Sequence, residues 1–586
     1  MYYTSPSVYE FISKQTQDPI VEWKTCRISG AKFPIYQSDL DFYEKISPTF
    51  NGQKMKIPTP TLCPEERQRR RLMFRNERKL YRRTCDASGK SIISIYSPDK
   101  PYKVYDQKIR RSDARDPMSY GREYDFGRSF TEQFGGLMRE VPNLPLFATK
   151  NENSEYVNAE QNKNCYLLFV SDYNEDSYYS DTISYSKNTI DSLSCYNMNN
   201  CSDCIGCECF NSTKLVDCKN IENSSSCCKC NNLKNCLLCV NLQNKEFCVL
   251  NKQYKDEFEE ILRNFDKNSN EYYYKYNELK RILISNNNLI NSEMSYNNLY
   301  NCNHNILFEF DSEYCKYINC NKIKDCYDAY VIVDNSSLCY ESVSTISTFK
   351  SSFTYCCRHE NQNLYYCSFC SNCQNCFGCI LRNKSYCIFN KQYTKEEYEI
   401  LVPKIIAHMQ KTVEREFFDP SLSPFSYNET VAQEYFPLTN EELLAREYKR
   451  QDKNYDPVIP EADVLCGDQV PADISTVTDD ILHKIIKCEV SGRPFRIIKQ
   501  ELDFYRKHNL PLPRKHPDVR HEERLRQRPP CELHFRNCDK CRIEMVSVYA
   551  KKDENLENDE NVGQNNILLN EQKVYCEKCY QQEIYG

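Results

Sequence analysis

From Cys367 to Cys379 the chain repeats one small apolar position at every third residue, in "YYCSFCSNCQNCFGC": Cys367, Cys370, Cys373, Cys376 and Cys379. An α-helix turns by about 100° per residue, so a spacing of three drifts around its surface. A flat strand alternates faces, so the same spacing sends successive cysteines to opposite sides. A coil with three residues per side returns every third residue to one interior, and the pattern therefore predicts a tight β-solenoid. Cysteine is small, behaves as a hydrophobe and fits a narrow core. Asn372 and Asn375 sit just before cysteines, where corners of left-handed backbone favour asparagine. Cys201, Cys204 and Cys207 in "CSDCIGC" repeat the pattern, and the register breaks at 208–217 and 331–342. Two other uses of the spacing stay open at this level: clustered metal ions, and disulfides between stacked rungs, since a bridge between residues three apart is strained.

The pattern occurs twice. "NCLLCVNLQNKEFCVLNKQY" from Asn235 returns as "NCFGCILRNKSYCIFNKQY" from Asn375, and each copy leads into a charged segment with helical spacing, roughly 255–285 and 394–415. Thirteen cysteines lie between 165 and 248 and thirteen between 302 and 387, as a duplicated module requires. The two ends also resemble each other. "CRISGAKFPIYQSDLDFYEKI" (26–46) matches "CEVSGRPFRIIKQELDFYRKH" (488–508), "LYRRTCDASGK" (80–90) matches "LHFRNCDKCRI" (533–543), and "YKVYDQKI" (102–109) matches "QKVYCEKC" (572–579). The expected fold is mixed and β-rich, with two cysteine-rich β-solenoid-like modules in tandem between zinc-ribbon-like α+β domains. The boundaries read as a ribbon-like domain (1–112), a linker (113–149), module one (150–255), a helical connector (256–289), module two (290–393), a helix and extended strap (394–465) and a C-terminal ribbon (466–586).

The ends carry the metal chemistry. Cys538 and Cys541, with Cys576 and Cys579, form two CxxC turns, and each such turn delivers two thiolates from one tight loop. Four soft ligands of this kind predict one Zn2+ site. The matching N-terminal positions are Cys85, Ser88, Asp106 and Ile109, which cannot hold zinc tightly, so that ribbon is expected to be empty. Cys26 with Ser29, Cys63 with Glu66, and Cys488 with Ser491 read as half-lost knuckles.

A basic run, "PEERQRRRLMFRNERKLYRR" (64–83), stands beside the first ribbon. Read as one helix, it aligns Arg67, Arg71, Arg75, Arg78 and Arg82 on a face, with Arg70 beside them. Met73 with Leu80 and Phe74 with Tyr81 supply an apolar stripe. The C-terminal counterpart contains Arg520 and Arg524. Arginine forks suit phosphate oxygens, so one expectation is nucleic-acid contact. The other is pairing with acidic groups of this chain or of a neighbouring subunit. His516 and His521 read as surface or structural residues, and Asp172, Glu175 and Asp176 as a solvated rung edge.

Net charge is −6 over 586 residues, so any basic surface is local. No apolar run is long enough to span a bilayer, and "MYYTSPSVYEFISKQ" lacks the features of a secretory signal. The expected compartment is the cytoplasm, or a particle assembled there, where thiols stay reduced. No phosphate-loop, dinucleotide-binding, nucleophile-elbow or HExxH motif is present, so neither catalysis nor a small-molecule substrate is expected.

The phrases "TLCP" (61–64), "RNERKLY" (75–81), "SIYSPDKPYKVY" (94–105), "SDYNED" (171–176), "NKQY" (251–254 and 390–393) and "SPFSYNETVAQEYFPLT" (423–439) resemble an uncharacterised cysteine-rich family. That family occurs in reduced-genome candidate-phylum bacteria and some large DNA viruses. The resemblance implies zinc-ribbon ends around a cysteine-repeat centre. Relatives more often keep paired cysteines at the N-terminal knuckles, from which Glu66, Ser88, Asp106 and Ile109 depart. The functional expectation is a non-enzymatic scaffold that binds nucleic acid through its arginine faces, or a structural subunit of a virion or other large particle.

Overall fold

The computed structural model describes residues 3–112, 116–265, 269–281, 283–287, 330–333, 343–346, 348–357, 360–411, 416–455, 464–527, 533–549 and 573–584. The expected start of module two, 290–329, lies outside the described residues, as does the 551–570 insertion between the two CxxC turns. The chain is β-rich and centred on a β-solenoid.

The solenoid obeys the triplet. Every third residue from Asn164 to Gly206, and again from Asn211 to Leu250, has a left-handed φ between +47° and +63°. Each is followed by an inward-facing residue. Four such triplets close one coil of twelve residues, so the Asn174 N–H meets the Asn162 side chain twelve residues earlier. Asn372 and Asn375 hold the left-handed corners their sequence suggested, but Leu167, Val170 and Tyr173 hold them too. A bulky residue at such a corner costs roughly 1–2 kcal/mol, so other interactions must offset the geometry.

Hydrogen bonding supplies that offset. The first N–H of a triplet bonds forward to the next coil, as Tyr178 does to the Thr189 carbonyl at 2.8 Å. The left-handed N–H bonds back to the previous coil, as Tyr179 does to the Tyr166 carbonyl at 3.0 Å. The third, inward N–H runs along the coil axis, where no backbone carbonyl waits. A small polar side chain one coil earlier accepts it: Ser180 Oγ from Ser192 at 3.0 Å, Ser186 Oγ from Met198 at 3.2 Å, Cys195 Sγ from Cys207 at 3.4 Å. Those side chains in turn donate to the carbonyl two residues back, Ser180 at 2.9 Å and Cys204 at 3.3 Å. Cysteine and serine thus answer one requirement: small volume, one donor and one acceptor in a place water does not reach. Cys367, Cys370, Cys373, Cys376 and Cys379 occupy these interior positions and are buried. The described cysteines form no disulfide.

Strands Lys187–Ile190, Asn199–Ser202, Cys209–Phe210, Lys219–Glu222, Asn231–Leu237 and Gln243–Val249 stack in parallel as one side of successive coils. Lys252–Gln253 closes this stack by pairing antiparallel with the last strand. A second stack runs from Thr348–Phe349 through Asn361–Tyr365 and Gln374–Phe377 to Ser385–Ile388, and Lys391–Gln392 closes it the same way. Both closures are the Asn-Lys-Gln-Tyr motif. Asn251 bonds the Val240 N–H at 2.9 Å and the Val240 carbonyl at 2.7 Å. Asn390 does the same to Ile380 at 2.8 and 3.1 Å. One asparagine amide imitates the next coil's backbone, and the reversed strand hides an edge that would otherwise template aggregation. Replacing Asn390, which is buried at φ +61°, by alanine should therefore cost about 2–3 kcal/mol in urea unfolding. Asn390→Gly separates the backbone contribution, and an unchanged midpoint in both variants would show the amide contacts to be idle.

The stretch 113–149, expected as a linker, contains the helix Phe130–Glu140, whose Phe130, Phe134, Leu137 and Met138 are buried. They pack with Phe353, Phe377 and Phe389 of the second stack and with Phe417, Phe418 and Phe425 of the strap. The two chain ends share another core. The helix Pro6–Thr16 places Val8, Tyr9 and Ile12 with Leu533, Val546 and Val574, and Phe11 meets Phe535 edge-on at 5.4 Å. The connector ends in strand Ile284–Asn287, which pairs in parallel with Lys573–Cys576. Among the described residues, no helix is long and apolar enough to cross a membrane.

Candidate metal centre and the arginine-rich ends

Cys538, Cys541, Cys576 and Cys579 converge, with their sulfurs all within 4.8 Å of one another. Strands His534–Asn537 and Glu544–Ser547 form an antiparallel hairpin, and the knuckle is its turn. The Cys538 N–H bonds the Ile543 carbonyl at 2.8 Å, and Arg542, at φ +66°, bonds back to the Cys538 carbonyl at 2.9 Å. The second pair joins a strand end to a helix: Cys576 closes Lys573–Cys576, and Cys579 lies in the first turn of Glu577–Ile584. Asp539 ties the halves together, accepting from the Val574 N–H at 2.7 Å and from Arg536 at 2.8 Å. The Cys576 N–H points at Cys538 Sγ from 3.2 Å, and Cys541 Sγ lies 3.6 Å from Cys576 Sγ. Burial works against the Cys538 thiolate, but N–H groups of Cys541, Cys576 and Lys540 hold it down to about 6. Cys579 is pushed up to about 12 by burial and by its three thiol neighbours. Four thiols crowded so closely can all ionise only against a cation, and their convergence is an arrangement that could hold a metal ion.

The Cys85 knuckle has the same frame without the ligands. Its N–H bonds the Lys90 carbonyl at 2.8 Å, Gly89 at φ +69° bonds back at 2.9 Å, and the Asp106 N–H meets Cys85 Sγ at 3.2 Å. Asp86 accepts from the Val104 N–H at 2.7 Å and from Arg83 at 3.2 Å, as Asp539 does at the other end. Ser88, Asp106 and Ile109 stand where three cysteines would be needed.

The arginines go elsewhere than the phosphate reading requires. The helix is Pro64–Leu72 and does not continue to 83. Asn76 ends that continuation: its side chain bonds the Lys79 N–H and carbonyl, each at 2.9 Å, and the Ile95 carbonyl at 2.8 Å, turning the chain into strand Tyr81–Thr84. Arg67, Arg69, Arg70 and Arg71 are each at most 3% exposed. Arg69 pairs with Glu66 at 2.5 Å and Arg70 with Glu416 at 2.7 Å, while their guanidiniums face the rings of Phe436 and Phe417. Arg75 pairs with Glu77 at 2.5 Å. Arg78 reaches Asp181 of the solenoid at 3.4 Å and Asp518 at 3.5 Å, and lies 4.6 Å from the Phe169 ring centre. Of the named set only Arg82 faces solvent.

At the other end, helix Pro517–Leu525 lies against the solenoid. Arg520 pairs with Asp191 and lies 3.7 Å from Glu501 and 4.9 Å from the Tyr179 ring centre. Arg524 reaches Asp191 at 3.2 Å and Asp203 at 3.9 Å. A continuous outward arginine face therefore does not form; these side chains bind acids of their own chain, which offsets the cost of burying the charge. Burial disfavours the Asp518 carboxylate, yet Lys79, Arg78, His516 and Arg493 around it hold it well below the usual range. His521 is buried against Glu434 at 3.4 Å, and His516 caps its helix by accepting from the Asp518 N–H at 3.1 Å. On the rung edge, Glu175 pairs with Lys187 at 2.9 Å and Asp172 accepts from the Glu160 N–H at 2.8 Å.

Asp191 and Asp203, the solenoid's receiving groups, were not singled out from sequence. Their signal was present: both are left-handed corners, twelve residues apart, and so form one column. No protein-family model matches this chain, and neither a curated protein nor a solved structure does.

Proposed function

We propose that this chain is a non-enzymatic structural scaffold, a solenoid of two tandem modules clamped at its ends by zinc-ribbon-like domains, which offers shape and surface to neighbouring subunits of a larger assembly. The observation that carries this reading is the inward direction of the arginines. Arg70, Arg75, Arg78, Arg520 and Arg524 are spent on the chain's own carboxylates and aromatic rings, Arg67 and Arg71 are buried beside them, and phosphate contact needs exposure that these seven lack. Zinc is the metal the four-thiol set suits best. The paired Asn-Lys-Gln-Tyr caps support the tandem duplication, and the shared hydrogen-bond frame of the Cys85 and Cys538 knuckles supports ribbon-like ends. The family resemblance and a reducing, cytoplasmic setting belong to the same proposal. Exposed rings of Tyr173 and Tyr185, stacked 4.8 Å apart with Tyr196 beside them, are the kind of surface subunit contacts use.

Native size exclusion with light scattering, reading absorbance at 260 and 280 nm, tests it. A particle well above the 69.4 kDa chain with a protein-like ratio is expected. A clean monomer from its native source, or a nuclease-sensitive peak of high ratio, would overturn it, the latter in favour of nucleic acid.

A further inference from the structure

Cys26 and Cys488 stand in the frame already described for Cys85 and Cys538. The first cysteine's N–H bonds the carbonyl five residues on in all four: Ala31, Lys90, Arg493 and Ile543, each at 2.8–2.9 Å. Its carbonyl accepts from the fourth residue on, which is left-handed every time: Gly30, Gly89, Gly492 and Arg542, at φ +66° to +72°. The residue after the cysteine donates to a carbonyl on a second segment: Arg27 to Thr61, Asp86 to Val104, Glu489 to Arg514, Asp539 to Val574. In each case the acceptor lies two residues before the residue that opens a helix, namely Cys63, Asp106, His516 and Cys576.

We infer that the two ends hold four copies of one metal-knuckle unit, and that the three without a full ligand set are vacated metal sites whose backbone still has the ligand-holding shape. The four donor positions become explicit: Cys26, Ser29, Cys63 and Glu66; Cys85, Ser88, Asp106 and Ile109; Cys488, Ser491, His516 and Val519; Cys538, Cys541, Cys576 and Cys579. In the first unit Glu66 is held by Arg69, Arg446 and Tyr3, and Ser29 Oγ lies 3.7 Å from Cys63 Sγ, so a hydrogen-bonded pair replaces the ion. In the third, two donors survive, a thiol and an imidazole, with a hydroxyl and a valine at the other two places. The ligands that would refill the second and third units are thiolate-rich sets suited to a zinc-class ion.

This inference rests on reading the Cys538 group as a metal centre, so wild-type zinc content is measured first; none bound defeats that reading before this one is reached. Ser88→Cys, Asp106→Cys and Ile109→Cys together should then raise bound zinc by one equivalent over wild type. Cobalt loading should add a second equivalent of tetrahedral thiolate absorption. Ser491→Cys with Val519→Cys, which keeps Cys488 and His516, is the independent trial in the third unit. Folded variants that bind no more metal than wild type would overturn the inference. Loss of fold in both would count against it equally, because a preformed ligand turn accepts sulfur in place of oxygen or a methyl group.

Discussion

Replacing Cys541 by serine, or treating the protein with a strong chelator, is expected to release one equivalent of the proposed zinc and to unfold residues 533–549 and 573–584 while the solenoid stays intact. Besides the metal, the region is held by the core it shares with helix Pro6–Thr16, by its pairing with Ile284–Asn287 and by Asp539, none of which fixes the hairpin turn itself. His534–Asn537 and Glu544–Ser547 are a two-stranded hairpin, which is at best marginal alone. The metal would join it to Lys573–Cys576 and the helix Glu577–Ile584. Structural zinc supplies about 10–16 kcal/mol in isolated fingers, as much as a domain's whole stability. The damage should spread by defined routes. Ile284–Asn287 loses its pairing strand, and the helix Pro6–Thr16 loses the apolar floor made by Leu533, Val546 and Val574. Hydrogen exchange should therefore accelerate in 6–16 and 284–287 as well as in 533–549 and 573–584, whereas Cys204→Ser, inside the solenoid, should leave the bound metal unchanged. Unaltered exchange in 533–549 and 573–584 after metal removal would show that the ion is not structural.

The second large effect concerns the clamp between helix Pro517–Leu525 and the coils. Asp191→Ala should destabilise the protein by about 3–5 kcal/mol, because it leaves two buried guanidiniums, Arg520 and Arg524, facing a methyl group. Asp203→Ala should cost about 1 kcal/mol or less, since that carboxylate is 47% exposed and 3.9 Å from Arg524. Urea midpoints of the two variants, of Arg524→Ala and of Asp191→Ala combined with Arg524→Ala decide the matter. If the pair loses no less than the sum of its parts, the two residues are not coupled and the clamp is held by apolar packing instead.

The solenoid was legible because its rule is local. One inward position per three residues shows directly in the cysteine spacing, and the break at 208–217 marks the place where a left-handed corner is skipped between Gly206 and Asn211. That serines share the interior role was less visible. Ser171, Ser177, Ser180, Ser186 and Ser192 keep the same spacing, but serine is common in loops and only the unsatisfied axial N–H explains it. The four converging thiols were legible for the same local reason, two CxxC turns. Most of the arginines were not: Glu77 stands near Arg75, but Glu416, Asp181 and Asp191, the partners of Arg70, Arg78, Arg520 and Arg524, lie far off in sequence and no short-range pattern reports a long-range ion pair. The helix was overread past Leu72 because Arg75, Arg78 and Arg82 fit its spacing, while Asn76 in a turn had no counterweight in the pattern.

The twelve-residue coil also sets the grammar by which this gene can change length. Inserting or deleting one whole coil lengthens or shortens the rod by one rung and leaves every column facing as before. A three-residue change advances the columns by one side, which would swing Asp203 away from Arg524 and unseat the helix that reads it. A single residue can be dropped at a corner, as between Asn199 and Phe210, which pair across eleven positions instead of twelve. Length variants of this chain should therefore fall into steps of about one coil, with odd residues lost only where one side of the rod is already short.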